Sequence, residues 1–173
     1  ADMIADYATD DVTSVETWNT LLSEIEATAN AIKVSNSADI SGAIIDIMMV
    51  HTETLAHNPA IGNALTGAWY EVLGLMKSGD EAALTAMATA SGTDLAGYNA
   101  QLATTKMFYE PSEAVAFTAS SELPGTMKFF AEFLFDKGIL GEGAPSPEFV
   151  GVSFPDGSTY GDANNVKLRF DNT

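Results

Sequence analysis

The spacing of apolar and polar positions divides the chain into three regions. Residues 12–18 and 32–34 are short runs that include β-branched and aromatic residues and predict strands, with one helical turn between them. Residues 36–42 are polar and rich in turn formers, so they predict a crossing between elements. The most apolar stretch, residues 43–50, has the length and composition of a strand covered on both faces. The first region is therefore predicted to be of β/α type.

The second region has helical periodicity. Asn58-Pro59 is a capping residue followed by proline, and an apolar stripe then continues to Gly79. Further helices are predicted to begin at Asp80, at Thr93 or Asp94, at Pro111 and at Pro124. In the third region, residues 139–173, two alternating runs lie on either side of a turn at 155–157, which predicts extended or hairpin structure.

Composition and net charge exclude some classes of function for this chain. The 173 residues include 24 acidic and 7 basic side chains, and the net charge is −17. A surface of this sign repels phosphate backbones and anionic lipid, so nucleic-acid binding is excluded and membrane docking is disfavoured. The apolar fraction of 46% is enough for the core of one domain or slightly more. The acidic surplus itself is interpreted as a solvated surface.

The chain offers little catalytic or metal-binding chemistry. It has no cysteine, which excludes a disulfide framework and a thiolate nucleophile. His51 and His57 are six residues apart, so they would not share a helix face as metal-binding pairs do. Residues 156–167 resemble a calcium loop, but Lys167 stands where a glutamate is needed, so a turn is the better interpretation. We therefore predict no catalytic residue, no metal and no cofactor.

Two residues have the character of a binding site. Asp46 is a lone carboxylate within the apolar stretch 43–50, and burying it without a partner would cost several kcal/mol. It is therefore expected either to pair inside the protein or to line a cleft and meet a cationic ligand. Trp18, at the end of the first predicted strand, is either a core residue or an aromatic wall where α/β sheets bind ligands.

The order of these segments resembles the second half of substrate-binding proteins of the nitrate/taurine/sulfonate family of ABC importers. Those receptors show an aspartate-led strand ending in tryptophan, a return across the hinge, an aspartate-containing strand, and a helix that opens with a His-Pro or Asn-Pro step. The matching segments here are Asp10-Asp11-Val12, Val15 to Asn19, Ile44 to Val50 and Asn58-Pro59. The tail, at 133–141 and 165–171, looks like a subgroup associated with urea-like nitrogen compounds.

The resemblance implies an α/β fold of the type II periplasmic-binding-protein class, bilobal and partial here, with a helical layer and an extended C-terminal tail. Residues 1–35 would end the second lobe, residues 36–42 would be the hinge crossing, and residues 43–173 would form the remainder of the first lobe. Because family receptors are much longer, the chain is expected to be a fragment or a mature piece, and the N-terminal half of the receptor is an expected partner.

The resemblance also implies a site and a function. Trp18 would line the cleft, Asp46 would face the amine of a ligand, and Thr17 and Asn19 would be hydrogen-bonding groups beside them. The expected partners are a small nitrogen-containing solute and an ABC-importer permease, and the expected location is the periplasm. Two alternatives stay open: an enzyme of pyrimidine or thiamine-precursor type, with Asp46 or Glu71 as a base, and a stand-alone helical interaction domain.

Overall fold

The computed structural model describes residues 2–9, 11–28, 30–40, 42 and 44–172. They form a mixed α/β structure in which roughly half of the residues are helical and three short strands make one sheet. The chain divides into two compact units, an N-terminal unit, Ala1–Met107, and a C-terminal unit, Phe108–Thr173. This division falls at a different place from the predicted lobe boundaries, which concern a larger receptor and stay a prediction.

The described residues of the N-terminal unit that have regular secondary structure are helical. Its helices are α1 (Asp2–Tyr7), α2 (Leu21–Glu26), α3 (Thr52–His57), α4 (Ala60–Ser78), α5 (Glu81–Ala90) and α6 (Leu95–Leu102), with a 3₁₀ turn at Ser37–Asp39. The predicted helices α2, α4, α5 and α6 are confirmed, whereas α1 and α3 were not predicted. Among the described residues, no helix combines the length and the apolar character needed to cross a membrane.

Local signals fix the ends of the long helices. Gly79 ends α4 in the left-handed conformation, at φ +71°, which glycine adopts without a Cβ penalty. The carboxylate of Asp80 then accepts a hydrogen bond from the Ala83 amide at 2.8 Å and begins α5. Asp94 caps α6 in the same way, through the Gly97 amide at 2.7 Å. Each helix therefore stops or starts where the sequence carries a capping residue.

The three strands predicted in the N-terminal unit are wrong. Residues 12–18, 32–34 and 44–50 have no regular secondary structure, and Ala43 lies outside the described residues. Their large apolar side chains are mostly exposed, namely Trp18, Ile32, Val34, Ile44, Ile47, Met48 and Met49. A strand needs a hydrogen-bonding neighbour, and among the described residues none of these segments takes part in a ladder of paired strands. The buried core of the unit lies elsewhere, at Ile25, Leu73, Leu84 and Ala88.

The C-terminal unit combines two helices with the sheet. Its elements are α7 (Pro111–Thr118), α8 (Glu122–Asp136), a 3₁₀ turn (Pro147–Phe149), β1 (Gly151–Ser153), β2 (Thr159–Tyr160) and β3 (Val166–Arg169). Helix α7 is confirmed with Pro111 at its start. Helix α8 begins two residues before Pro124, because proline is tolerated in a first turn, where amides have no partner within the helix.

The sheet confirms the extended tail but not its pairing. Its strand order is β2-β1-β3, in which β1 pairs with β2 antiparallel and with β3 parallel. The two runs recognised in the sequence are β1 and β3, so they are not the arms of one hairpin. The hairpin partner of β1 is the two-residue β2, which is too short for alternation to reveal. Leu123, Val152 and Phe154 are buried, and Phe154 stacks on Phe170 with ring centroids 5.8 Å apart.

Candidate functional site

Asp46 is exposed in segment 44–50, so the interpretation of this segment as a strand covered on both faces is wrong. Within the described part of the chain its carboxylate makes no hydrogen bond and no ion pair. An exposed carboxylate keeps its hydration, so it carries no desolvation cost that an internal partner would have to offset. The internally paired alternative therefore has no support, and the carboxylate is accessible to a solute.

Trp18 is 75% exposed, which excludes its interpretation as a core residue. It precedes α2 by three residues, and its carbonyl oxygen accepts a hydrogen bond from the Leu22 amide at 2.9 Å. The indole ring is therefore held near the start of a helix with most of its surface open to solvent. A ring in this position can contact an apolar or cationic solute.

Thr17 and Asn19 flank the tryptophan and differ in their surroundings. The Thr17 hydroxyl is buried and has no hydrogen-bond partner among the described residues. Asn19 is exposed, and its side-chain oxygen accepts a hydrogen bond from the Ser23 hydroxyl at 3.2 Å. The Thr17 hydroxyl is therefore able to form a further hydrogen bond. The Asn19 side-chain oxygen already accepts one from Ser23, in the first turn of α2.

The structure brings only part of the predicted site together. Thr17, Trp18 and Asn19 are consecutive at the entry to α2, whereas Asp46 belongs to a separate segment. No hydrogen bond or ion pair between described residues joins Asp46 to the other three. A cavity of about 340 Å³ lies instead at the end of α8, and the described residues that line it are Phe135, Gly138 and residues 140–144, of which Glu142 alone is ionisable. It contains none of the predicted site residues.

A polar feature of the C-terminal unit was missed in the sequence. The Tyr160 hydroxyl is buried and has no hydrogen-bond partner among the described residues. Burial, and to a lesser extent the charges of Glu148 and Glu132, raises the pKa of Tyr160 above 10.0, because both effects disfavour the phenolate. The sequence showed Tyr160 only as a position in the calcium-like loop, and its burial depends on the packing of β2 near α8.

The calcium-like segment contains the predicted turn before β2 and a second turn between β2 and β3. Asp156 accepts a hydrogen bond from the Ser158 amide at 2.8 Å, and Asp162 accepts one from the Asn164 amide at 2.8 Å. Hydrogen bonds from the Ser158 side chain and amide lower the pKa of Asp156 from its usual 3.8. Both carboxylates therefore fold the loop on itself in the manner of Asx turns.

Tyr160→Phe is expected to raise the free energy of unfolding by about 1 kcal/mol, because it removes a buried hydroxyl that lacks a partner among the described residues.

The substitution is also expected to change the pH dependence of stability. Because the pKa of Tyr160 is raised above 10.0 in the folded state, the neutral phenol favours folding in the unsubstituted chain. That stabilisation is present below pH 10 and is lost as the pH rises through the folded pKa. Urea unfolding at pH 8 and pH 10.5 should show a smaller alkaline loss in the variant. Tyr109→Phe is the control, and an equal effect of both substitutions would contradict the prediction.

The chemistry available in the described residues is that of binding groups. The exposed carboxylate of Asp46 and the exposed indole of Trp18 are accessible contact groups, and Thr17 adds an unsatisfied hydroxyl. No three histidine, aspartate or glutamate side chains within the described ranges lie together so as to hold a metal ion. In comparisons with known proteins, the chain matches no protein family, no curated protein and no solved structure.

Proposed function

We propose that the chain is part of the solute-binding receptor of an ABC importer of the nitrate/taurine/sulfonate type. The solute is a small nitrogen-containing compound: an amine, a urea-like compound, a guanidinium compound or a sulfonate. The proposal is supported by the order of the segments from residue 10 to residue 59 and by the character of the predicted contact residues. Asp10, which starts that order, lies outside the described residues.

The observation that carries the proposal is that the Asp46 carboxylate is exposed and has no partner within the described chain. An acidic side chain in the middle of an exposed apolar segment, with no partner within the described chain, has its full capacity to bind a cation. A carboxylate forms charge-assisted hydrogen bonds with ammonium and guanidinium groups, which are about twice as strong as neutral ones. Trp18 adds an aromatic face that attracts the same cations.

The proposed mechanism is closure of two lobes on the solute. In this arrangement residues 1–35 end the second lobe, residues 36–42 cross the hinge, and residues 43–173 belong to the first lobe of a type II bilobal fold. A solute that contacts both lobes biases the equilibrium toward the closed state, and closure strengthens the Asp46 contact by excluding water. No bond is made or broken. The N-terminal part of the receptor completes the cleft, and the periplasm is the proposed location.

Asp46→Asn is expected to weaken binding of a cationic solute at least tenfold, since a hydrogen bond to a charged group contributes about 1.5–3 kcal/mol. The experiment is calorimetric titration of the complete receptor with taurine, urea and guanidinium as separate probes. Intrinsic fluorescence gives a second readout, which is expected to respond to the solute and to lose that response in Trp18→Phe, while Trp69 stays silent. Glu53→Gln, which neutralises another exposed carboxylate, is the control.

The possible results of this titration distinguish an error in the proposed function from an error in the proposed role of Asp46. Binding that survives Asp46→Asn unchanged would contradict the role of Asp46 but would keep the receptor. A failure of all three probes to bind would contradict the proposed solute class. Recovery of a chemically altered solute, measured by mass spectrometry, would favour the enzyme alternative, because a receptor returns its ligand unchanged.

A further inference from the structure

The turn between β1 and β2 contains the dipeptide of this chain that is most prone to spontaneous rearrangement. Asp156-Gly157 is the only aspartate in the sequence that is followed by glycine, and no asparagine is followed by glycine. Because glycine has no Cβ beside its amide nitrogen, that nitrogen reaches the carboxyl carbon of the preceding aspartate more easily than the nitrogen of a larger residue does. Asp156 is also exposed, so water reaches its carboxyl group.

The rearrangement is intramolecular and needs no reagent other than water. The Gly157 nitrogen attacks the side-chain carboxyl carbon of Asp156, a carbon–nitrogen bond forms, and the amide proton leaves with the carboxyl hydroxyl as one molecule of water. A second molecule of water then opens the succinimide ring at either of its two carbonyl carbons. One opening restores aspartate, and the other gives isoaspartate, in which the main chain runs through the side-chain carbon atom. The mass of the chain is unchanged.

In the folded chain both reacting groups are held in hydrogen bonds. The Gly157 amide donates to the carbonyl oxygen of Phe154 at 3.0 Å, and the Asp156 carboxylate accepts from the Ser158 amide at 2.8 Å. The Phe154 amide in turn donates to the Ser158 carbonyl oxygen at 3.0 Å and closes the turn around both groups. Ring closure has to break the first two of these hydrogen bonds, because the nitrogen loses its proton and the carboxyl group must turn toward it.

Packing and ionisation also oppose the reaction. Phe154, which supplies the acceptor for the Gly157 amide, is 6% exposed and stacks on Phe170 of the same unit. Hydrogen bonds from the Ser158 side chain and amide lower the pKa of Asp156, so its carboxyl group stays ionised at neutral pH. A carboxylate is a poorer electrophile than the neutral acid, because its negative charge repels the attacking nitrogen.

We propose that Asp156-Gly157 is a site of spontaneous isoaspartate formation that the folded β1–β2 turn protects, so that the modification marks chains whose sheet has opened. Strand β1 pairs with β2 in a register that places Val152 opposite Tyr160. Isoaspartate adds one carbon atom to the main chain within the turn, so the same hydrogen bonds no longer close this register. A modified chain is therefore expected to leave β1 and β2 unpaired.

The test follows the complete chain in buffer and in concentrated guanidinium chloride, both at neutral pH. Isoaspartate is located by fragmentation of the tryptic peptide 138–167 in a mass spectrometer. At residue 156 it is expected to form at least about tenfold faster in guanidinium chloride, since tenfold protection needs only about 1.4 kcal/mol of local opening free energy. Asp162-Ala163 is the matched control in the same peptide and should stay unmodified, although its carboxylate also accepts a hydrogen bond from the amide two residues later.

Gly157→Ala tests whether the nitrogen of residue 157 is the attacking group. In guanidinium chloride, where folding has no influence, the variant is expected to form isoaspartate several times more slowly, because the added methyl group hinders ring closure. Equal rates in buffer and in guanidinium chloride would overturn the protection by the fold. Absence of isoaspartate at residue 156 in guanidinium chloride, or an equal rate in the variant, would overturn the site. The reaction lies within the C-terminal unit and is independent of the proposed solute binding.

Discussion

Leu123→Ala is expected to lower the free energy of unfolding of the C-terminal unit by about 3 kcal/mol. Leu123 lies in the first turns of α8 and is 1% exposed, the most completely buried large side chain among the described residues. Truncation removes apolar surface from contact with the core and leaves a cavity, and both effects favour the unfolded state. The expected loss is a large part of the stability available to a unit of this size.

The measurement has to separate the two units. Both tryptophans, Trp18 and Trp69, belong to the N-terminal unit, so their fluorescence does not follow the unfolding of the other. Hydrogen exchange followed by mass spectrometry reports the protection of peptides from 108–173 directly. Ile139→Ala, at a side chain that is mostly exposed, is the control and should change protection by less than about 0.5 kcal/mol. Equal effects of the two substitutions would contradict the placement of Leu123 in the core.

The helices were predictable because their signals are local. The start of α5 is set by Asp80, which bonds to an amide three residues later, and the end of α4 is set by the left-handed Gly79. Both interactions involve residues that are neighbours in the sequence, so spacing alone reveals them. Six residues are at the limit of what a period can reveal: α2 was predicted from a single helical turn, whereas α1 and α3, of the same length, were not.

The strands were less predictable because a strand is defined by its partner. Segment 44–50 has a stronger strand composition than β2, yet β2 is paired and 44–50 is not. The interpretation of 44–50 as a strand covered on both faces depended on such pairing and failed without it, and so did the interpretation of Trp18 as a core residue. Composition identified which residues can bind a solute, but their exposure depends on contacts between distant parts of the chain.

Gly161→Ala is expected to destabilise the C-terminal unit by about 3 kcal/mol, for two separate reasons. Gly161 has a φ of +77°, which costs an L-residue roughly 1–2 kcal/mol. An added Cβ would also collide with the carbonyl oxygen of Val150 and lie 3.0 Å from that of Glu148. The same stretch of backbone places the Asp162 amide 2.8 Å from the Glu148 oxygen, to which it donates a hydrogen bond. Relief of the collision would therefore weaken a bond that ties β2 to the 3₁₀ turn.

Gly157→Ala separates the cost of the backbone conformation from the cost of the collision, because Gly157 has the same left-handed conformation as Gly161 but no atom close to an added Cβ. Gly157 has a φ of +85°, and a Cβ added there would have no atom within 4 Å. Gly157→Ala should therefore lower the free energy of unfolding only by the conformational cost, about 1–2 kcal/mol. Hydrogen exchange of β1 and β2 measures this change. If both substitutions cost the same, the close approach of residue 161 to the Val150 and Glu148 carbonyls contributes nothing. If Gly161→Ala costs more, the sheet is held against the 3₁₀ turn by contact between backbones, which explains why only glycine fits at the end of β2.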